Sequence, residues 1–343
     1  MMGGVLVVRL DNIGDVLLAG PCVRAVAAGG EPVTMLAGPR GRAGAELLPG
    51  IDDVLTWCAP WIDPEPDPVS TEDIDLFVRT IRAREFDRAL VLTSFHQSAL
   101  PLALLLRMAG IPWIGAISED YPGSLLDLRH RVHGELPESV RALALAIAAG
   151  YRLPAGDDGG LAIRRPLPDV RALTGETPYV VVHPAASAPA RRPSTAQSAA
   201  MVAALAAAGH RVLVTGGKAE SGLTAAVSGR HGTDLGGATT LPELAAVLDG
   251  ASVVVAPNTG PAHLAAAVGT PVVSLFAPVV SAARWAPYRV PRVLLGEQSA
   301  PCRDSRARTC PVAGHPCLDS IEPDEVVAAA EELMSCPSTG GSS

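Results

Sequence analysis

Residues 252–276 read SVVVAPNTGPAHLAAAVGTPVVSLF, and this stretch decides the fold. It opens with a β-branched run that is typical of a buried strand, and Pro261 then stands in the first turn of an alanine-rich helix. A second β-branched run follows the helix. A strand, a helix and a strand in this order predict a unit of a parallel sheet covered by helices.

The same alternation runs outward through both halves of the chain. Predicted strands in the first half are 4–10, 33–37, 53–57, 88–93 and 113–117. The rhythm restarts after residue 178, with strands predicted at 179–183, 211–215, 233–235, 252–256 and 271–276. Two such sets predict an α/β protein with two Rossmann-like, doubly wound domains, and a ligand cleft where the carboxyl ends of their strands face each other.

The domain boundary is expected within residues 151–178, where glycine, proline and aspartate interrupt the pattern. We predict a first domain over residues 1–165 and a second over residues 166–335. Residues 161–163 are a candidate edge strand in this connection.

Helices and chain ends follow from capping signals and composition. A helix is predicted at 14–28, and Ser70 and Asp73 form a candidate capping box for a helix at 71–85. The last helix is predicted at 323–335, and the sequence leaves open whether it packs back on the first domain. Residues 336–343 are expected to be disordered.

Composition limits the class of function. The chain has 343 residues and a formal net charge of −8, which argues against nucleic acid as a partner because phosphate binding needs a basic surface. The sequence shows no export signal and no unbroken membrane-spanning run, so we expect a cytoplasmic protein whose six cysteines are thiols. We expect a monomer and leave open a peripheral association with membranes.

The first predicted strand runs into Asp11-Asn12-Ile13-Gly14-Asp15. This turn lacks the three spaced glycines of a dinucleotide site and offers carboxylates instead. Either Asp11 or Asp15 is a candidate general base that deprotonates an acceptor hydroxyl. The alternative is that Asp15 only complements the dipole of its helix.

The second half opens with a loop that suits phosphate. His183 ends the predicted strand, small residues lead to Ser187, and Arg191 and Arg192 follow. Small residues allow backbone amides to approach an anion, and arginines give charge-assisted hydrogen bonds to its oxygens. The alternative is a solvated loop with two surface arginines.

The segment Asn258-Thr259-Gly260 stands between a predicted buried strand and a helix. Free amides at the start of that helix, together with its dipole, predict a diphosphate site. His263 lies early in the same helix and either faces the ligand or is structural.

Three strings carry a family resemblance: VVRLDNIGDVLLAGP, HPAASAPARRP and LPELAAVLDGASVVVAPNTGPAHLAAAVGTPVVSLFAP. In this order they resemble glycosyltransferase family 9, the ADP-heptose heptosyltransferase family of the GT-B fold. The resemblance extends from about Val5 to Leu333. It implies an acceptor-binding first domain and a second domain that binds a nucleotide-sugar donor.

The resemblance also implies roles for single residues. Asp15 matches the aspartate proposed as catalytic base, and Arg191 matches a basic residue that contacts the donor phosphates. Asp11 and Asn12 are then expected on the acceptor side. The residues expected to bind the donor are Ser187, Arg192, Glu220, Asn258, Thr259, Gly260 and His263.

This sequence departs from the family pattern at three places. No tryptophan precedes Pro193, Ala185 stands in place of a glycine, and Asn258 stands where an aspartate is usual. An amide keeps hydrogen bonding but has no charge, so any pairing with Arg191 is weakened.

The resemblance implies an inverting transfer of a sugar, expected to be heptose from ADP-heptose, without metal or cofactor. Most of the resembled family builds the lipopolysaccharide core, whereas the arginine-rich composition leaves an envelope glycan or a secondary metabolite open as acceptor. Two alternatives remain: a nucleotide-sugar 2-epimerase of the same architecture, and a sugar-nucleotide binding protein without catalysis.

Cys302, Cys310, His315 and Cys317 are spaced C-x7-C-x4-H-x-C. This spacing lacks the C-x2-C pair of a typical zinc site. We expect thiols at these positions and keep zinc as the alternative.

Overall fold

The computed structural model describes residues 3–335. The predicted disordered tail at 336–343 lies outside the described residues. The chain divides into two compact units between Arg164 and Arg165, one residue before the boundary expected from the sequence.

The first unit is built on a parallel sheet of six strands in the order β3-β2-β1-β4-β5-β6. Its central strands are almost entirely buried, as expected for a sheet covered by helices on both faces. The strands are β1 (Val5–Arg9), β2 (Val33–Ala37), β3 (Asp53–Thr56), β4 (Arg88–Val91), β5 (Trp113–Ile117) and β6 (Leu128–His130).

Six helices belong to this unit. They are α1 (Ile13–Leu18), α2 (Gly20–Ala27), α3 (Arg42–Leu47), α4 (Thr71–Arg82), α5 (Leu100–Met108) and α6 (Glu138–Ala148). The helix predicted at 14–28 is therefore two helices that meet at Ala19. The Ser70 side chain caps α4 by accepting from the Asp73 backbone amide, but the Asp73 carboxylate accepts from the Trp57 indole instead of completing a capping box.

The second unit repeats the plan with the strand order β12-β11-β10-β7-β8-β9, again all parallel. The strands are β7 (Val180–Val182), β8 (Val212–Gly216), β9 (Thr233–Gly236), β10 (Val253–Pro257), β11 (Val272–Leu275) and β12 (Arg292–Leu295). The fold class predicted from the sequence, two doubly wound α/β domains, is confirmed.

Helices of the second unit are α7 (Arg171–Thr174), α8 (Thr195–Ala207), α9 (Ser221–Ser228), α10 (Leu241–Asp249), α11 (Gly260–Val268), α12 (Ala282–Trp285), α13 (Pro316–Asp319) and α14 (Pro323–Ser335). Single 3-10 turns lie at Pro189–Arg191 and Lys218–Glu220. The sequence left open a return of α14 to the first domain. Its apolar side, with Val326 and Leu333, instead packs in the core of the second unit against α8 and β10–β12.

Two of the four edge strands and one predicted strand in the connection differ from the sequence predictions. Residues 161–163 form no strand, and the outer strands β6 and β12 were not predicted. Both missed strands are short and partly exposed, so they lack the continuous apolar run that marks a buried strand. Among the helices of residues 3–335, none combines the length and apolar character needed to cross a bilayer.

Each sheet has one point where the chain reverses its direction of strand addition. In the first unit this switch point lies between β1 and β4, and in the second between β7 and β10. Loops at the carboxyl ends of two such neighbouring strands leave a crevice, which is where open α/β sheets bind ligands.

Candidate functional site

Arg9 ends β1 and is the centre of the first switch point. It is only 3% exposed, although a strand end of this kind usually reaches solvent. Its Nε lies 2.9 Å from Asp11 Oδ2, and its Nη2 lies 2.9 Å from Asp15 Oδ1. Nη2 also donates to Ser94 Oγ at 2.8 Å, from the loop after β4. One buried guanidinium thus joins the two predicted carboxylates to the neighbouring strand.

Asp11 has both carboxylate oxygens engaged. Oδ2 faces Arg9, and Oδ1 accepts a hydrogen bond from Gln97 Nε2 at 2.6 Å. Burial raises the pKa of Asp11, with Asp15 adding to the shift and Arg9 opposing it. The backbone of this turn is also enclosed, since a Cβ at Gly41 would lie 2.7 Å from the Asp11 carbonyl oxygen. Asp11 is built into the protein and presents no spare oxygen.

Asp15 differs from Asp11 in this respect. Its Oδ1 is held by Arg9, whereas Oδ2 has no hydrogen-bond partner in the part of the chain that the structure describes. Its side chain is 20% exposed, against 11% for Asp11. Asn12, the N-cap residue of α1, is exposed and its side chain makes no capping bond. Of the two carboxylates that the sequence offered, Asp15 has the oxygen that could take a proton.

Two buried charges at the start of α6 complete this cluster. Glu138 Oε2 lies 3.7 Å from Arg9 Nη1 and 3.5 Å from Arg141 Nη1, and the Glu138 side chain is 2% exposed. Arg141 also donates to the Thr93 carbonyl beside Ser94. Sequence reasoning missed Glu138, because an acidic residue in the first turn of a helix is typical of a solvated helix start.

The carboxylates stabilise the charged form of the buried Arg9 guanidinium. Burial alone lowers the pKa of a guanidinium, but Asp11, Asp15 and Glu138 outweigh burial, and the pKa of Arg9 is raised. Arg9 was also missed from the sequence, although it is the one charged residue in the buried strand VLVVR. A lone charge at the end of such a strand was the available signal, because a buried charge needs a partner.

His183 follows β7 at the second switch point. It is buried, and its Nδ1 lies 3.1 Å from Thr215 Oγ1 on β8. Burial lowers the pKa of His183 to about 4, so the imidazole is neutral at physiological pH. Its backbone amide donates to the Val255 carbonyl of β10 at 2.9 Å, which ties the two strands at the switch point.

The loop beyond His183 carries Ser187, Arg191 and Arg192. Ser187 is exposed and both arginines are half-buried. The 3-10 turn Pro189–Arg191 is braced from outside, because the Ala190 amide donates to the Arg308 carbonyl and the Ala190 carbonyl lies 3.1 Å from His315 Nε2. The cysteine-bearing loop therefore holds the arginine loop in place.

Asn258 follows β10 and is 5% exposed. Within residues 3–335 its Nδ2 has no hydrogen-bond partner, which is unusual for a buried amide. The next residue, Thr259, caps α11 without a side-chain bond, and Thr259 and Gly260 are half-buried. His263 is buried one turn inside α11. One buried side-chain amide without a hydrogen-bond partner among the described residues thus lies at the end of β10, the strand next to β7.

Glu220 lies beyond β8, on the other side of β7. Its Oε2 accepts from the Gly217 amide at 2.7 Å and closes the turn after Gly216. The carboxylate is half-buried and holds this glycine turn in shape.

The cysteine-bearing loop holds free thiols. Cys302 and Cys317 are buried in the core of the second unit, and Cys310 packs against the same cluster. Burial, followed by the neighbouring Cys302 and Cys310, raises the pKa of Cys317 to about 11. Across residues 3–335, no three His, Cys, Asp or Glu side chains are grouped so that they could hold a metal ion.

Comparison with known sequences gives one family. Residues 75–314 match the model for glycosyltransferase family 9 (heptosyltransferase). The chain is 32% identical over 173 residues to a protein named lipopolysaccharide heptosyltransferase 3 of Escherichia coli. That match spans 48% of this chain and 49% of the relative, so it covers about half the length of each.

Comparison with solved structures extends over nearly the whole chain. A glycosyl transferase of family 9 from Veillonella parvula has a TM-score of 0.77 at 17% identity, with 97% of each chain covered. The E. coli heptosyltransferase WaaC, solved with ADP-2-deoxy-2-fluoro heptose, has a TM-score of 0.71 at 18% identity, with 96% of this chain and 99% of that chain covered. These likenesses show the fold.

Proposed function

The chain belongs to glycosyltransferase family 9, the heptosyltransferase family, and on this premise we propose that it transfers heptose from ADP-heptose to an acceptor hydroxyl with inversion. Membership makes the protein a glycosyltransferase. The donor, the stereochemistry and the residue roles are the proposed part. The observation that carries the proposal is Asp15, whose Oδ1 binds a buried guanidinium and whose Oδ2 has no hydrogen-bond partner within residues 3–335.

In this proposal the first unit supplies the base. The acceptor oxygen attacks the anomeric carbon, and Asp15 Oδ2 takes the proton that this oxygen loses. Arg9 holds the other oxygen of the carboxylate, so that the basic oxygen is presented in one orientation. General-base catalysis of this kind contributes about 10²–10⁴ to a rate.

The second unit is proposed to bind the donor and to receive the leaving group. The bond from the anomeric carbon to the diphosphate breaks, and ADP leaves with the electron pair. We propose that Arg191, the first amides of α11 and the Asn258 side-chain amide donate hydrogen bonds to the diphosphate oxygens; the support is that all three follow strands at the second switch point. Such donors act most strongly where charge develops, each worth about 3 kcal/mol when well aimed. Ser187, Arg192, Glu220 and His263 are proposed to complete the donor site.

We propose that this charge stabilisation comes from protein groups, without a metal ion. The support is that the second switch point offers cationic and amide donors. A neutral His183 also keeps the site free of an extra proton-dependent charge. The acceptor is proposed to be a glycan or small molecule with a free hydroxyl. The cytoplasmic location, the monomeric state and the peripheral contact with membranes stay predictions.

An assay with ADP-heptose separates the proposal from its alternatives. The full chain is incubated with the donor and a panel of hydroxyl acceptors, and the nucleotide products are resolved by mass spectrometry. Released ADP together with a heptosylated acceptor is the expected result. An isomerised sugar nucleotide with no ADP would identify an epimerase, and an unchanged donor that binds tightly would identify a binding protein.

A further inference from the structure

We propose that Arg9 and Glu138 are positioning residues for the base: Arg9 fixes one oxygen of Asp15, and Glu138 fixes Arg9 and offsets its charge. This inference rests on the proposed function, because it takes Asp15 as the base. Neither residue contacts the reacting atoms in the mechanism above. Both act through Asp15.

The geometry of Arg9 leaves its guanidinium little freedom to rotate. Nε faces Asp11, Nη2 contacts both Asp15 and Ser94, and Nη1 faces Glu138. Ser94 lies in the loop after β4, so its hydrogen bond fixes Arg9 to a part of the unit outside the Asp11 turn. Nη2 makes the hydrogen bonds, to Asp15 and Ser94, and the planar guanidinium with its ionic contacts on the other two nitrogens orients the carboxylate that binds it.

Asp15 needs such an anchor. It lies in α1, a helix of six residues whose N-cap side chain makes no capping bond. Short helices gain little stability from their own hydrogen bonds, so the side chain is not fixed by the helix alone. Through Oδ1 the buried guanidinium fixes the plane of the Asp15 carboxylate, and Oδ2 is the oxygen left for the acceptor.

The charge balance explains why Glu138 is needed. A guanidinium paired with Asp15 alone would strongly favour the ionised carboxylate and make it a poor proton acceptor. In this cluster the positive charge is shared with Asp11 and with Glu138, whose side chain is 2% exposed. Arg9 can therefore orient Asp15 while its positive charge is divided among three carboxylates.

Other charges on elements packed against α1 are paired locally. The helix contacts α2, α3 and α6, and these carry charged groups of their own. The pairs are Arg24 with Asp157, Arg42 with Glu46, and Arg141 with Glu138. Near α6, burial and then Arg141 lower the pKa of His130, so this imidazole is neutral near pH 7. Arg9 and Asp11 therefore act on Asp15 directly, and Glu138, which also contacts Arg141, acts on it through Arg9.

The test compares Arg9→Gln with Glu138→Gln, because the proposal predicts shifts in opposite directions. The base works when ionised, so activity falls as the pH decreases. This falling part of the pH profile is the acid limb. Loss of Arg9 removes a positive charge and moves the acid limb to higher pH by about one unit. Loss of Glu138 removes a negative charge and moves the limb to lower pH. In both variants kcat for ADP release from ADP-heptose, with water or glycerol as nucleophile, falls about tenfold or more.

Milder variants separate orientation from charge. Arg9→Lys keeps the charge without the fork, so kcat falls while the acid limb stays near its original position. Ser94→Ala removes one anchor of Arg9 and lowers kcat by about threefold with no shift of the limb. Circular dichroism checks whether Arg9→Gln folds. If it does not, Arg9→Lys and Ser94→Ala provide the test.

A matched control and a substrate-free readout complete the design. Arg24→Gln breaks another partly buried ion pair of the first unit, 2.6 Å long, and should leave the acid limb in place. The midpoint of the Asp15 carboxyl titration, followed by ¹³C NMR, should move in opposite directions in Arg9→Gln and Glu138→Gln even without donor.

The outcomes distinguish this inference from the proposed function. Shifts in the same direction, or no shift in the NMR midpoint and the acid limb, would overturn the role of Arg9 and Glu138. If Asp15→Asn retains nearly normal turnover, the base assignment itself fails. If Asp15→Asn is inactive while Arg9→Lys and Ser94→Ala turn over normally, the base stands and the positioning role is wrong.

Discussion

The two switch points share a topology and have opposite chemistry. Between β1 and β4 three carboxylates surround one buried guanidinium. Between β7 and β10 lie a neutral histidine, an arginine-bearing loop and an amide without a protein partner among the described residues. The same doubly wound plan therefore provides one edge rich in carboxylates and a second edge that carries arginines and a buried amide.

The difference teaches how one fold is given two roles. Strand order places loops at the carboxyl ends of two neighbouring strands, and loop residues then decide the chemistry. The first switch point already contains its own counter-charge, and Asp15 Oδ2 has no hydrogen-bond partner among the described residues. The second keeps the Asn258 amide without a hydrogen-bond partner within residues 3–335, which suits a ligand that brings its own negative charge. Four substitutions test this contrast, in order from the largest expected effect to the smallest.

Asp15→Asn tests the anionic edge. The amide keeps the shape but cannot take a proton, so kcat should fall by about 10²–10⁴. Affinity for ADP should stay within about twofold in a calorimetric titration, because the donor is assigned to the second unit. Asp157→Asn, in an ion pair of the first unit with Arg24, serves as the control. A parallel loss of ADP affinity would break the division of roles.

His183→Gln tests the neutrality of the second edge. Burial lowers the pKa of His183 to about 4, whereas the unfolded chain binds this proton near pH 6.5. The unfolded state therefore holds more protons between these values, and stability present above pH 6.5 is lost as pH falls towards 4. The contribution is about 3 kcal/mol, and the variant should lose this slope in urea unfolding. Replacement of the exposed His133 should keep it.

Arg191→Gln tests whether the second edge accepts an anion. A charge-assisted hydrogen bond contributes about 1.5–3 kcal/mol, so the Kd for ADP should rise about 10- to 100-fold. The control is Arg171→Gln, an exposed arginine paired with Asp169 in the same unit. Equal weakening by both variants would mean that only the general charge of the unit matters.

Asn258→Asp places a carboxylate at the second switch point and so makes its charge more like that of the first. An aspartate is usual here in the family, so the variant tests whether this chain instead uses the Asn258 amide as a donor. If it does, the buried carboxylate repels the diphosphate, and ADP should bind about tenfold more weakly at pH 8. The defect should shrink at pH 5, where a buried carboxyl is more often protonated. Asn258→Ala loses the donor without adding charge, so its smaller defect should not depend on pH. A tighter complex with the aspartate would show that Asn258 does not face the diphosphate.

The interior of the fold was predictable because its signals are local. The runs VLVVR and VVVAP mark buried strands by composition alone, and Pro261 marks a helix start. The edge strands β6 and β12 were missed, because a strand with one neighbour needs no continuous apolar run. The break at Ala19 was also missed, since both helices around it follow one apolar pattern.

The sequence predicted which loops carry the candidate site, but not which side chains contact each other there. Carboxylates after the first strand and amides before α11 were visible as residue types at strand ends. The contacts of Arg9 with Ser94 and Glu138 could not be predicted. Both residues are far from Arg9 in the sequence, and no sequence pattern connects them to it.

The sequence by itself determined the α/β alternation, the two domains, the family and the loops that could carry chemistry. Periodicity and turn residues act between near neighbours, so these features can be derived from the order of residues. The tertiary structure decided that Arg9 is shared by three carboxylates, that Asp11 has no spare oxygen and that Asp15 has one. These ion pairs depend on which charged groups folding brings within hydrogen-bond distance of each other. The order of residues along a short stretch of sequence does not predict those distances.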